Sequence, residues 1–92
     1  MTKLVRDLVP RLSPGSYVKV DRDTLCSLLE YKLVEEVVEF FSARSMEELA
    51  DIVEVVEGLA KCFGRSLRDV LELRERKRVA RGGFEEGYVL IE

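Results

Sequence analysis

The residues best placed to do chemistry in this chain are acids. Glu35, Glu36 and Glu39 stand in one run, and Glu47, Glu48 and Asp51 in the next, with Arg44-Ser45 breaking the pattern between them. Side chains three or four apart share a helix face. Glu36 with Glu39, and Glu48 with Asp51, are therefore two pairs, each able to aim both carboxylates at one point. On a wheel of ~100° per residue, Glu36 and Glu39 fall inside the apolar stripe marked by Leu25, Leu29, Leu33 and Phe40, where an unpaired ionised carboxylate costs several kcal/mol. Glu48 falls beside Val55 and Leu59, and Asp51 at the edge of its stripe, whereas Glu47, Glu54 and Glu57 point to the polar side and need only solvation. Ser45-Met46-Glu47-Glu48 also fits a capping box, in which Glu48 would reach back to the Ser45 amide.

Two helices must hold these acids. Asp21 to Asp23 supply an N-cap, and periodicity predicts a helix from about Thr24 to Ala43. A second runs from about Met46 to Cys62, where Gly64 ends it. So short a break favours an antiparallel αα-hairpin. At ~1.5 Å per residue, Glu39 lies roughly 8 Å before the turn, with Glu48 and Asp51 roughly 5 and 9 Å beyond it. Helix axes pack ~8–10 Å apart, so Glu36, Glu39, Glu48 and Asp51 can converge on one site. Ser66 to Asp69 cap a third helix reaching Val79 or Ala80. Its stripe is apolar first (Leu67, Val70, Leu71) and basic later (Arg74, Arg78, Arg81, with Lys77 just outside), although basic side chains near a helix C-terminus also simply favour the dipole and snorkel outward. Residues 1 to 20 lack helical periodicity and are punctuated by Pro10 and Pro14-Gly15. Tyr17 to Val20 and Tyr88 to Ile91 read as short extended pieces that pair with each other. The expected fold is all-α, one compact domain over residues 1–92, an antiparallel helical bundle with short extended N- and C-terminal segments.

At 92 residues a single core is small. The first acidic helix also carries Val34, Val37, Val38 and Phe41 opposite its other apolar stripe, so burial on both sides, by a homo-oligomer, is expected. A net charge of −3 argues against binding nucleic acid polymers by bulk charge. No apolar run approaches the ~20 residues a membrane span needs, and the opening lacks a signal-peptide core, so a cytoplasmic location is expected. Cys26 and Cys62 are too far apart for a C-x-x-C motif and read as buried thiols. With no histidine in the chain, Ser-His-Asp and Cys-His catalysis, zincin motifs and Glu-x-x-His di-iron sites are excluded. An all-oxygen donor set suits Mg²⁺, with Mn²⁺ as the alternative, and magnesium commonly shares its shell with substrate phosphates. Acids facing a basic helix end thus point to a polyphosphate substrate and hydrolytic attack on phosphorus.

Glu35-Glu36-x-x-Glu39 followed by Glu48-x-x-Asp51 resembles the E-E-x-x-E and E-x-x-D signature of the all-α nucleotide pyrophosphohydrolase superfamily, which includes MazG, dimeric dUTPases and phosphoribosyl-ATP pyrophosphohydrolase. The opening Lys3-Leu4-Val5-Arg6-Asp7-x-x-Pro10, the segment Glu48-Leu49-Ala50-Asp51-Ile52-x-Glu54-Val55 and the ending Lys77-x-x-x-Arg81-Gly82-Gly83-Phe84 are similar to the small MazG-like members, so the resemblance spans nearly the whole chain. It implies a MazG-like helical bundle, dimeric or larger, holding magnesium on Glu36, Glu39, Glu48 and Asp51. It further implies catalytic roles in Glu35, Glu36 and Glu39, with Glu35 supporting the ligands. Lys77 and Arg81 become phosphate contacts, with Lys3 and Arg6 beside them, and Arg74 and Arg78 of the basic stripe join them in the substrate site. The implied reaction cleaves a nucleoside triphosphate between its α and β phosphates, as in nucleotide-pool house-cleaning. Phosphoribosyl-ATP hydrolysis in histidine biosynthesis is the enzymatic alternative. The non-enzymatic one is a helical oligomer that binds a nucleotide or a partner, its acids paired with Arg74, Arg78 or Lys32. The spacing between Glu39 and Glu48 is shorter than in many MazG-type members, and no residue identifies the base.

Overall fold

The computed structural model describes residues 3–92. Four helices follow in order: α1 Val9–Leu12, α2 Arg22–Ala43, α3 Met46–Cys62 and α4 Leu67–Arg81. The all-α expectation holds, and no strand occurs among the described residues. Residues 17–20 and 88–91 do not pair. Val18 and Tyr88 to Ile91 are exposed, and an isolated extended segment with no ladder partner is not a stable strand. α1, a single turn with Pro10 in its first positions, was not expected.

Local chemistry accounts for the helix ends. The Asp21 carboxylate accepts the Thr24 amide at 2.8 Å and starts α2. Arg44, in the left-handed conformation at φ 53°, ends it and turns the chain. Ser45 then starts α3 by accepting the Glu48 amide. α3 ends in a Schellman motif, with the Arg65 amide donating to the Ala60 carbonyl and the Gly64 amide to that of Lys61, both at 2.9 Å. Gly64 supplies the φ of +71° that this closure needs. Ser66 and Asp69 form a reciprocal capping box for α4.

α2 and α3 make the expected antiparallel hairpin. They approach closely at Gly58, where a Cβ would stand 3.0 Å from Leu29 Cδ2. At the hairpin's open end Cys26 and Cys62 form a disulfide, with Cα atoms 6.0 Å apart, and Arg22 donates to the Lys61 carbonyl at 2.6 Å. The cysteines are thus a covalent staple rather than buried thiols.

The molecule is not the compact bundle that the sequence suggested. α4 packs on α3, but none of its Cα atoms comes within 8 Å of one in α2. The radius of gyration is 16.3 Å, against about 12 Å for a compact domain of this length. Among the described residues only Val55, Ala60 and Glu36 are buried. Uncovered apolar faces remain on both hairpin helices: Tyr31, Val34, Val38 and Phe41 on α2, and Met46, Leu49 and Val53 on α3. No helix among the described residues is long and apolar enough to cross a membrane.

Candidate metal centre

Three of the singled-out acids meet near the hairpin turn. Each of Glu36, Glu39 and Glu48 offers a carboxylate oxygen within 4.8 Å of the other two. Glu36 is 6% exposed, which makes it the most buried charged residue described. Its Oε1 lies 3.4 Å from Lys32 Nζ, while its Oε2 is buried with no hydrogen-bond partner. Glu48 Oε2 is likewise buried and unpartnered. The Ser45 hydroxyl takes the Glu48 amide, yet the Glu48 carboxylate does not return to the Ser45 amide, so the cap leaves this acid free. Burial, then the negative charges of Glu39, Asp51 and Glu36, and a hydrogen bond that the protonated carboxyl can share with Glu36, push its carboxyl above the ordinary value.

Lys32 is the cation that partly compensates the cluster. It donates to Glu35 and faces Glu36. Burial alone would lower its pKa, but the two glutamates more than offset this and hold the ammonium above its ordinary range. Glu35, held below the ordinary value chiefly by its hydrogen bond from Lys32, also lies 3.8 Å from Lys3 Nζ. It faces these lysines rather than joining the three-acid cluster, which fits a supporting position.

Asp51 stands apart. Its carboxylate is paired with the Arg6 guanidinium and is not among the three clustered acids. The wheel had already put it at the edge of its stripe. Its distance from the turn matches that of Glu39, but the cation that holds it arrives from the N-terminal segment, far away in sequence.

The basic residues gather elsewhere. Arg74, Lys77, Arg78 and Arg81 line an open concavity of about 890 Å³ with Gly82 to Glu85. Arg78 is hydrogen-bonded to Glu85 at 2.6 Å, which holds the Glu85 carboxyl below its ordinary value. No residue of α2 or α3 lines this concavity. Within one chain, then, the basic end of α4 does not face the acids, because α4 leans away from α2. Salt bridges from the acids to Arg74 or Arg78 are absent among the described residues, whereas the alternative pairing with Lys32 is present.

A second cavity, of about 350 Å³, runs along the hairpin from Glu36 and Asp51 to the disulfide, roofed by Leu4 to Asp7. Sequence reading missed both the staple and this roof. The signal for the staple was available: Cys26 and Cys62 lie at nearly matched depth, roughly 27 Å from the turn at ~1.5 Å per residue.

Two buried carboxylate oxygens without donors, beside a third acid, make a donor set that a hard divalent cation fits. No family model, no curated protein and no solved structure matches the chain, so its resemblance to the nucleotide pyrophosphohydrolases rests on the quoted residues alone.

Proposed function

We propose that the chain is a Mg²⁺-dependent nucleotide pyrophosphohydrolase of the MazG-like type, converting a nucleoside triphosphate to a monophosphate and pyrophosphate. The observation that carries this reading is Glu36, more than nine-tenths buried, with an unpartnered oxygen beside Glu39 and Glu48. These three acids are the proposed ligands, and Asp51 joins them when Arg6 lets it go. Bound there, magnesium would neutralise phosphate charge and polarise a P–O bond. Glu35, oriented by Lys32 and Lys3, keeps the ligand helix in register. A carboxylate of the Glu35, Glu36 and Glu39 group takes the proton of the attacking water as the anhydride bond breaks and pyrophosphate leaves.

The uncovered faces support self-association. The chain exposes 8422 Å², about 3,000 Å² more than a compact monomer of its mass. That excess exceeds what one partner contributes to most obligate interfaces. A second copy, seated on Val34, Val38 and Phe41, is the proposed occupant.

The deciding experiment is pyrophosphate release from a panel of nucleoside triphosphates and phosphoribosyl-ATP, in Mg²⁺ or EDTA, with Glu36→Gln alongside. Metal-dependent release that the variant loses supports the enzyme, and the preferred substrate separates pool sanitation from phosphoribosyl-ATP hydrolysis. The Lys32 pairing favours one other reading, a helical oligomer that binds without turnover. Absence of release from every substrate, by folded protein in Mg²⁺, would favour that reading.

A further inference from the structure

The N-terminal segment ahead of α1 lies across the hairpin as a strap. Leu4 to Asp7 roof the 350 Å³ cavity, whose walls include Leu29 of α2 and Val55 of α3. Two ion pairs tie this strap down: Lys3 with Glu35, next to the proposed centre, and Arg6 with Asp51, one of its proposed ligands. Both are partly exposed, with Arg6 and Asp51 side chains 60% and 36% accessible. A pair of this kind shifts an equilibrium by only about 2- to 5-fold. The latch is weak, and its anchor is the one proposed ligand that stands outside the three-acid cluster.

We propose that Arg6 is an internal counter-ion for Asp51, and that a divalent cation, by taking Asp51, releases the strap and opens the cavity beneath it to substrate. This rests on the reading of Glu36, Glu39, Glu48 and Asp51 as cation ligands. The guanidinium and the cation both need the Asp51 carboxylate, so each binds at the other's expense. By linkage, the factor by which magnesium weakens strap closure equals the factor by which closure weakens magnesium binding.

The test uses the full chain and magnesium alone. Calorimetry measures cation affinity, and hydrogen–deuterium exchange follows the amides of Val9, Arg11 and Leu12, which donate to the Arg6 and Leu8 carbonyls of the strap, in EDTA and in Mg²⁺. In the wild type, Mg²⁺ should speed exchange of these amides several-fold. Arg6→Gln, checked for fold by circular dichroism, should exchange quickly already in EDTA and bind Mg²⁺ about 2- to 5-fold more tightly. Asp51→Asn should free the strap without any metal. Magnesium binding with unchanged or slowed exchange at Val9, Arg11 and Leu12, or weaker binding by Arg6→Gln, overturns the strap and leaves the cation centre standing. No magnesium binding by the wild type overturns both.

Discussion

Replacing Glu36 by Gln keeps the shape of a buried side chain and removes one charge, so its effect on stability separates a waiting cation centre from a structural ion pair. The Glu36 carboxylate lies within 4.8 Å of two other acids and 3.4 Å from one ammonium. At an effective dielectric of ~20, each repulsion is worth about 3.5 kcal/mol and the attraction about 5 kcal/mol. Partial exposure of Glu39 and Glu48 screens the repulsions, bringing these opposing effects close to balance. What remains is the desolvation of an ionised carboxylate, several kcal/mol, which Gln does not incur. Lys32 keeps Glu35 as its partner. The variant should therefore be more stable than the wild type in EDTA by at least about 1 kcal/mol, or about 4 °C or more in Tm. Magnesium reverses the order. At a hundredfold excess over Kd it adds about 2.7 kcal/mol to the wild type, and at a thousandfold about 4.1 kcal/mol, whereas the variant has lost a ligand. The assay is thermal melting at fixed protomer concentration across a Mg²⁺ series. A variant about 3–5 kcal/mol less stable in EDTA, with a wild-type Tm that magnesium does not move, would refute the reasoning and establish Lys32–Glu36 as a structural pair.

Reducing the disulfide, or Cys62→Ala, should cost about 4 kcal/mol, given the 36-residue separation of its cysteines; melting with and without reductant reads it. Phe41→Glu puts a charge on the uncovered α2 face and should raise the self-dissociation constant at least tenfold by light scattering, with helix content retained. The Asp69 carboxyl is held below its ordinary value, first by the Ser66 amide. Its contribution is therefore complete above the unfolded value, near pH 4, and is lost as pH falls through the lower folded value. Asp69→Asn should flatten that part of the acid limb in a pH series of melting temperatures, and an unchanged limb would remove the cap from the account.

The hairpin was legible because its signals are local. Asp21, Ser45 and Ser66 are N-caps, Gly64 completes a Schellman turn, and periodicity sets the faces between them. Depth along an antiparallel pair then brought Glu36, Glu39 and Glu48 together. The misses have physical causes. Asp51 was assigned with the cluster because its distance from the turn suited it, but a long-range cation, Arg6, holds it. The basic stripe of α4 was read as facing the acids, but a helix's tilt depends on what its neighbours cover, and here α3 alone holds α4. The disulfide is hidden from motif spacing because Cys26 and Cys62 are far apart in sequence and become level only along the hairpin.

How a chain with so few buried side chains tolerates a buried acid cluster follows from where its stability resides. Val55 and Ala60 are too small a core to offset three converging carboxylates. The staple at Cys26 and Cys62 acts on the unfolded chain and needs no core. Caps at all three long helices act at their ends. The larger reserve is the apolar stripe of Tyr31, Val34, Val38 and Phe41, which contributes only once another surface covers it. That stripe lies on the side of α2 opposite Glu36 and Glu39, so covering it adds burial without changing the water around the acids. The self-dissociation constant should therefore change little as magnesium rises, and a strong dependence, read by light scattering across a Mg²⁺ series, would place the interface on the acid face instead.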